Sequence, residues 1–274
     1  MILYLANGFS KFRQIGNRTV QAFLCFAGIT FPVYGQTSYA FECEANLCEE
    51  VSFLNGEPIL NYEEDNHIFQ RGSVLEYTVV DQISGLPHDE NKSVTGSVTI
   101  TVNPEISNMM REMVGAYHQT GVEFSYSSNL GISTAKTGVI ENVRNVWIHP
   151  FRGGQLAKIN LNAYPFVKFP LCIGEKYEWE LSVGGPKYSD LRWKTWTGTT
   201  VRKHQYEVVA KEKVFTPLSG KAIEVFVIQA QTNGEIGQSS AKFWYSEYFG
   251  FIYIKYYNID GTITEFRLLK VEKR

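Results

Sequence analysis

Residues 221–271, KAIEVFVIQAQTNGEIGQSSAKFWYSEYFGFIYIKYYNIDGTITEFRLLKV, decide the fold of this chain. Together with the preceding Val-, Tyr- and Thr-rich segment Thr200–Phe215, they predict a row of β-strands. Lys221–Thr232 carries apolar side chains on both faces, so both of its faces are predicted to be covered. Asp260-Gly261 predicts a two-residue hairpin, with positive φ at Gly261, that leads into the last strand.

The region upstream has the same character. The 274 residues include 14% aromatic and 20% charged residues, a composition typical of a globular protein. Asn103-Pro104 predicts the start of a short helix through Met113, with two interrupted strands as the alternative. Further strands are predicted at Gly72–Val80, Ser93–Val102, Gly121–Ser128 and Thr137–His149. The predicted fold is all-β: antiparallel meanders that form a sandwich or an open half-barrel, with at most one short helix.

The first 35 residues resemble a secretory signal peptide. They contain three basic residues and no acidic residue, followed by the apolar run Val20–Val33. Small residues precede Gln36, so cleavage is predicted there and the protein is predicted to be exported, to the periplasm or the outer membrane of a Gram-negative bacterium. The run is too short and interrupted for a secure membrane span, and an uncleaved anchor is the alternative.

The charge of the mature chain limits the classes of partner. Loss of three basic residues takes the formal net charge from −2 to −5. An acidic chain without a Lys/Arg cluster is a poor candidate for binding nucleic acid or an anionic membrane surface. We therefore expect no nucleic acid partner and no transmembrane span in the mature chain.

Three cysteines remain after the predicted cleavage. Cys43 and Cys48 are a disulfide candidate in an oxidising compartment, or remain free thiols. They lack a second pair of ligands for a closed zinc site, so no metal is expected. Cys172 lies in an apolar segment and is predicted to be a small core residue.

The chain contains a weak internal similarity. Gly72 and Gly174, and Gly96 and Gly198, begin similar strings at a spacing of 102 residues, and Glu123 and Glu224 match at 101. We predict two β halves, 67–165 and 166–274, after the signal peptide 1–35 and a leader segment 36–66. The alternative is that amphipathic strands resemble one another generically.

The strings GSVLEYTVVDQ, FPLCIGEKYEWEL and IEVFVIQAQTNGEIGQSSAKFWYSEYFGFIYIKYYNIDGT carry a family resemblance. Their order, an aromatic strand after glycine, a Tyr/Trp strand, then Gly-Phe-Ile and an Asn-x-Asp-Gly hairpin, is similar to that of the TapB-like exported bacterial proteins of unknown function. The resemblance covers most of residues 67–271. It implies an all-β envelope protein and supplies no reaction and no catalytic residues.

No catalytic motif stands out. Ser133–Gly138 contains both SxxK and KTG strings, but one lysine would have to serve both, so a Ser/Thr-rich turn is the better interpretation. The five histidines show no metal spacing, and no glycine-rich turn suggests a nucleotide, so no cofactor is expected.

Aromatic and basic residues supply the candidate binding site. Two tryptophans flank basic residues in Leu191–Gly198, and they either bind a ligand or plug the end of the sheet. The candidate ligand-binding residues are Trp193, Trp196, Arg192, Phe249, Tyr248, His149 and Arg152. If the two halves pack face to face, they enclose a groove near Trp193, Trp196 and Phe249.

Three function classes remain open. The first is a non-enzymatic binding protein for a hydrophobic small molecule or an envelope protein. The second is a hydrolase of envelope polymers, and the third is a structural subunit that uses an edge strand. An apolar groove would favour the binding protein, and clustered carboxylates would favour the hydrolase. A long bare edge strand would favour the structural subunit.

Overall fold

The computed structural model describes residues 53–54, 57–58, 66–83, 92–114, 119–131 and 133–273. The described strands are β1 Phe53–Leu54, β2 Glu57–Pro58, β3 Val74–Gln82, β4 Ser93–Val102, β5 Thr120–Tyr126, β6 Thr134–Glu141, β7 Asn145–Ile148, β8 Phe166–Lys168, β9 Lys176–Gly184, β10 Thr199–Thr216, β11 Lys221–Asn233, β12 Ser239–Ser246, β13 Gly250–Tyr257 and β14 Ile263–Glu272. The helices are α1 Pro104–Val114, α2 Gly185–Tyr188 and two 3₁₀ segments, Ser128–Leu130 and Gly154–Leu161.

Twelve of the strands form one antiparallel, nearly closed, barrel-like sheet. Its order is β8-β7-β6-β5-β4-β3-β14-β13-β12-β11-β10-β9, so two six-stranded meanders meet where β14 pairs with β3. A flat sheet would separate the edge strands β8 and β9 by about 50 Å. Residues 169–175 join these edges and span about 28 Å at most. The sheet must therefore curl, and the predicted all-β meander fold is confirmed.

Side chains alternate between the interior and the solvent. The strands β3 and β9 are each nine residues long, and in both every second residue is buried. Tyr77 and Trp179 point inward and are buried. The edges β8 and β9 meet through side chains, since the Tyr177 hydroxyl donates to the Phe166 carbonyl at 2.8 Å and the two rings lie 5.1 Å apart.

The proposed internal repeat has mixed support. Gly72 and Gly174 both have positive φ and lie two residues before equivalent strands. Gly96, however, lies inside β4 opposite Val79, whereas Gly198 precedes β10. The equivalence of Gly96 and Gly198 is therefore wrong, because the connection 185–198 is four residues longer than its counterpart 83–92.

The match of Glu123 with Glu224 also fails. Glu123 pairs with Thr101, which pairs in turn with the first residue of β3. Glu224 pairs with Lys213, which lies beyond the residues of β10 that pair with β9. The two glutamates therefore occupy different positions in their meanders.

The antiparallel strands give the sheet two ends. We call the lower end the one formed by segment 66–73 and the connections 142–144, 169–175, 217–220 and 247–249. The upper end is formed by the connections 127–133, 149–165, 185–198, 234–238 and 258–262.

The N-terminal described segment closes the lower end. Ile68 and Phe69 are buried, and Ile68 lies directly against Gly250. The carboxylate of Glu141 accepts hydrogen bonds of 2.8–3.1 Å from three successive backbone N–H groups, those of residues 67–69. Charge-assisted bonds of this kind fix the segment across the opening.

The 3₁₀ segment Gly154–Leu161 fills the upper end. Its Leu161 carbonyl accepts from the guanidinium of Arg202, which is fully buried, at 3.0 Å. Burial lowers the pKa of Arg202 to about 10, so the group stays charged at neutral pH. Carbonyl oxygens supply the partners that a buried cation requires.

Two local predictions need correction. The hairpin at Asp260-Gly261 has a three-residue loop, because the Asn258 N–H bonds the Thr262 carbonyl. Gly261 has a φ of 80°, as predicted, and occupies the left-handed position of a turn with a bulge. Cys172 is exposed in the connection 169–175 and is not a core residue.

Several other predictions fall outside the described residues. The signal peptide, its cleavage site and the Cys43–Cys48 pair all lie there, as does most of the leader segment. The helix after Asn103 is confirmed as α1. Every helix that the structure describes is too short or too polar to cross a bilayer.

Candidate functional site

The tryptophan loop lies at the upper end. Trp193 and Trp196 are half-buried and pack against the core, while Arg192 is exposed. The Arg192 guanidinium lies 4.5 Å from the Trp193 ring and bonds the Asp190 carboxylate at 2.7 and 2.9 Å. The Trp193 indole N–H donates to the Tyr188 carbonyl at 2.9 Å. These contacts hold the loop in one conformation and leave little of either ring for a ligand.

The histidine and arginine of the next candidate pair are buried. His149 is 2% exposed and packs 4.5 Å from the Trp147 ring. Burial lowers the pKa of His149 well below its usual value, and nearby Arg152 adds to this. Arg152 is itself buried, and its carbonyl accepts from the Tyr126 hydroxyl at 3.1 Å. Both residues belong to the interior and face no open groove.

The remaining candidates are at the opposite end. Tyr248 and Phe249 form the turn between β12 and β13, at the lower end. The sheet therefore separates Phe249 from Trp193 and Trp196 by the length of a strand. The predicted groove shared by these three residues does not form.

Two further sequence signals concern the SxxK string and a possible metal site. Thr134–Lys136 of the SxxK string lie in β6, so this string is mainly strand and not the predicted turn. Across the described ranges, no three His, Cys, Asp or Glu side chains come together as a metal would require.

A cleft of about 630 Å³ lies on the outer face of β9, β10 and β11. Side chains from these three paired strands form it, because Glu178 is directly opposite Gln205 and Gln205 is opposite Gln231. The next row places Lys176, Glu207 and Gln229 side by side. The outward side chains that line the cleft are Lys176, Glu178, Gln205, Glu207, Gln229 and Gln231.

Two polar contacts connect side chains that line the cleft. The Lys176 ammonium lies 3.3 Å from the Glu207 carboxylate, and both are solvent-exposed. The Gln205 amide donates to Glu178 at 3.4 Å. An exposed ion pair contributes at most about 1 kcal/mol, so a ligand can displace it at low cost.

An aromatic pair continues the same outer face. Trp244 and Tyr253 are opposite each other on β12 and β13, with ring centroids 4.5 Å apart. Trp244 is also opposite Val227, which is fully buried although it points away from the interior. Lys242 and Arg267 lie over the two rings at 4.8 and 4.4 Å. The outer face thus joins a polar cleft to a half-exposed aromatic platform.

This site was not predicted from the sequence. A signal was present, because Gln229 and Gln231 alternate with the buried Ile228 and Ala230. The adjacency of these amides to Glu178 depends on strand register, which the connection 185–198 sets.

The chain matches no protein-family model and no curated protein. It is similar to three solved structures at low sequence identity. The first is a predicted exported protein with a YmcC-like fold from Bacteroides fragilis, 12% identical, with a TM-score of 0.42 over 74% of this chain and 97% of that one. The second is a predicted lipoprotein from Parabacteroides distasonis, 12% identical, with a TM-score of 0.45 over 78% and 99%.

The third is the hypothetical lipoprotein YmcC from Escherichia coli. It is 11% identical, with a TM-score of 0.35 over 72% of this chain and 85% of that one. The resemblance to TapB-like proteins in particular stays a prediction.

Proposed function

We propose that this is a non-enzymatic binding protein of the cell envelope that binds a polyhydroxylated ligand, a glycan, on its outer sheet face. The observation that carries the proposal is the cleft of about 630 Å³ lined by amide and carboxylate side chains. Its place in the envelope rests on the predicted signal peptide.

The lining favours a polar ligand over the apolar one that the sequence suggested. A glutamine amide both donates and accepts hydrogen bonds, and a carboxylate accepts them, which suits the hydroxyl groups of a sugar. The half-exposed rings of Trp244 and Tyr253 border the cleft, with the cations of Lys242 and Arg267 over them as further hydrogen-bond donors.

A hydrolase is the weaker alternative. Glu178 and Glu207 are two carboxylates in one cleft, as a glycosidase requires. Each is engaged, Glu178 by Gln205 and Glu207 by Lys176. The cleft is open to solvent, whereas a general acid depends on burial to raise its pKa.

The test is binding of soluble cell-envelope polysaccharides by calorimetry. Gln205→Ala combined with Gln231→Ala removes two amides from the centre of the cleft. We expect the association constant to fall about tenfold, because two hydrogen bonds are lost. Gln238→Ala is the matched control, since Gln238 is exposed in the connection 234–238, outside the cleft.

Two results would contradict the proposal. One is a double variant that binds the polysaccharides as tightly as the wild type and the Gln238→Ala control do. The other is release of reducing sugars from them, lost in Glu178→Gln, which would favour the hydrolase. Unchanged thermal unfolding of the variants excludes loss of fold as the cause of weaker binding.

A further inference from the structure

The outer face beside the cleft carries three cations on adjacent strands. Lys242 on β12 is directly opposite Lys255 on β13, and Arg267 on β14 is opposite Tyr253, two residues before Lys255. The three side chains point away from the interior, because the residues on both sides of each along its strand are buried. Like charges directly opposite each other destabilise a sheet, so an anion bound between them would stabilise this one.

A single carboxylate on these strands serves all three cations. The Glu265 carboxylate lies 2.8 Å from the Lys255 ammonium and 3.6 Å from the Arg267 guanidinium. The Lys242 ammonium lies 4.8 Å from the Trp244 ring and forms no ion pair with any residue that the structure describes. Farther along β14, Lys270 and Glu272 pair with each other and add no net charge. The outward side chains of β12 to β14 therefore carry a formal charge of +2.

The strands on either side place uncharged side chains next to these residues. Gln229 of β11 is opposite Lys242, and Thr78 of β3 is opposite Arg267. In the row between them, Val80 of β3 follows Glu265. The neighbouring strands therefore bring no carboxylate into the rows of the three cations.

The other acids of this region either have a lysine of their own or are distant. The remaining acidic residues of β3, of β11 and of the connections between β11 and β14 are Glu76, Asp81, Glu224, Glu235, Glu247 and Asp260. The two aspartates lie beside Lys158, Glu224 lies beside Lys211, and Glu76 is opposite Lys270. Glu235 and Glu247 are three or more residues along the chain from the rows of the cations, about 10 Å, where salt screens exposed charges.

The cations continue the rows of the cleft. Gln229, which lines the cleft, lies between Glu207 and Lys242 in one row across three strands. In the next row, Gln231 of the cleft is followed by Ser240 of β12. Adjacent strands are about 4.8 Å apart, so about 10 Å separates β10, at the centre of the cleft, from β12. A ligand that occupies the cleft and extends across the strands therefore reaches the cations.

The two parts of this surface have opposite charge. The cleft contains Glu178, Glu207 and Lys176, a formal charge of −1. Its carboxylates accept hydrogen bonds from hydroxyl groups and repel an acidic group. The cations on β12 to β14 attract an acidic group and donate hydrogen bonds to it. The surface thus favours a ligand with hydroxyl groups at one position and an anion at the other.

We propose that the ligand is an acidic glycan, whose carboxylate or sulfate group lies over Lys242, Lys255 and Arg267 while its hydroxyl groups occupy the cleft. The inference rests on the proposed glycan-binding function and names the chemical class of its ligand. The rings of Trp244 and Tyr253 hold two of the cations in place, with Arg267 4.4 Å from the Tyr253 ring, so these donors are positioned before the ligand binds. The ligand has to extend across at least three strands, about 10 Å.

The test compares three galactose-based polymers that differ in charge. Polygalacturonate carries carboxylates, its carboxyl-reduced form is neutral, and a sulfated galactan carries sulfates. In calorimetry with the full chain, we expect an association constant at least about tenfold higher for one of the acidic polymers than for the neutral one. The stronger of the two acidic polymers identifies the anion. Raising the salt from about 50 to about 200 mM should weaken binding of the acidic polymers only.

Lys242→Gln combined with Arg267→Gln removes two of the proposed anion contacts from the protein surface. We expect this variant to lose most of the about tenfold preference and to bind the neutral polymer as the wild type does. Lys221→Gln combined with Lys270→Gln is the matched control, because it removes the same charge from exposed positions at the lower end. The control should keep the preference. Unchanged thermal unfolding of both variants excludes loss of fold.

Four outcomes would overturn the proposal. Equal binding of neutral and acidic polymers, weakened by Gln205→Ala with Gln231→Ala, would retain the glycan cleft and reject an acidic ligand. Equally tight binding of polyglutamate, a polyanion without hydroxyl groups, would show that the cations attract charge alone. Binding of the acidic polymers that the two glutamine substitutions leave unchanged would contradict the glycan cleft itself. Absence of binding to all three polymers would contradict both proposals.

Discussion

Lys158→Met is expected to lower the free energy of unfolding by about 3 to 5 kcal/mol, as is usual when one partner of a buried ion pair is removed. The Lys158 ammonium is almost fully buried and lies 3.0 Å from the Asp81 carboxylate. It also donates to the Gln82 carbonyl and the Thr262 hydroxyl, each at 2.9 Å. Methionine fills a similar volume but leaves Asp81, and also Asp260, which lies 3.9 Å from the same ammonium, buried without this counter-charge.

The direction of the Asp81 pKa supports this expectation. Burial raises its pKa, and the charge of Lys158 together with a hydrogen bond from Thr264 only partly offsets that rise. Without the lysine, the carboxyl must either remain charged in a dry site or take up a proton. Both alternatives cost free energy relative to the wild type.

Two variants make the test specific when unfolding is followed in denaturant. Adding Asp81→Asn to Lys158→Met should recover at least about 1 kcal/mol, because the unpaired charge is then absent. Lys203→Met, at an exposed pair with Glu180, should cost less than about 1 kcal/mol. Additive effects of Lys158→Met and Asp81→Asn would show that the two side chains do not act as a pair.

Acidification from pH 7.5 to pH 5 is expected to lower stability through two buried histidines, by about 2 kcal/mol from His204 alone. Burial lowers the pKa of His204 to about 3, and nearby Arg202 adds to this. His149 is shifted in the same direction, also mainly by burial. Between the folded pKa and the unfolded value of about 6.5, the unfolded state binds more protons than the folded state.

The sign follows from this difference. Stability is complete above about pH 6.5 and is lost as the pH falls below it, by about 2 kcal/mol at pH 5 for His204, and His149 adds to the loss in the same direction. The raised pKa of Asp81 acts in the opposite direction, so the histidine contribution has to be isolated by substitution.

The substitution His204→Asn isolates the contribution of one histidine to the pH dependence of stability. The asparagine amide retains a partner for the Thr232 hydroxyl, which lies 2.8 Å from His204 Nδ1, and has no proton to gain. The slope of the unfolding free energy against pH should fall to about half that of the wild type, since one of two histidines is lost. Equal slopes in the wild type and His204→Asn would contradict the assignment.

Strands were predictable from the sequence wherever alternation was strong. Residues 221–271 predicted β11 to β14 within a few residues, since each strand has a regular apolar face. The same parity places Arg202 and His204 inward with Tyr206, a consequence that composition alone would have missed. The Asp-Gly turn signal also allowed the positive φ of Gly261 to be predicted.

The candidate site was less predictable because it depends on contacts between distant segments. Tryptophans suggested a groove, yet the Asp190–Arg192 ion pair and the Tyr188 carbonyl hold that loop against the core. The cleft, in contrast, uses glutamines and glutamates that are unremarkable along the chain. These side chains come together only in the observed register of β9 with β10. The connection 185–198, which is four residues longer than its counterpart 83–92, sets that register.

The pairing of β3 with β14 has a consequence for the order of folding. The first and last strands of the sheet are neighbours, and the bonded side chains Asp81 and Thr264 are 183 residues apart. Closure of so large a loop carries a high entropic cost, and contacts of this range slow folding. Until β14 has been synthesised, β3 remains an open edge that can pair with another chain. Folding of the sheet is therefore completed only after Ile263–Glu272 has been synthesised, and a nascent chain that stops before Ile263 keeps one more unpaired edge than the complete sheet.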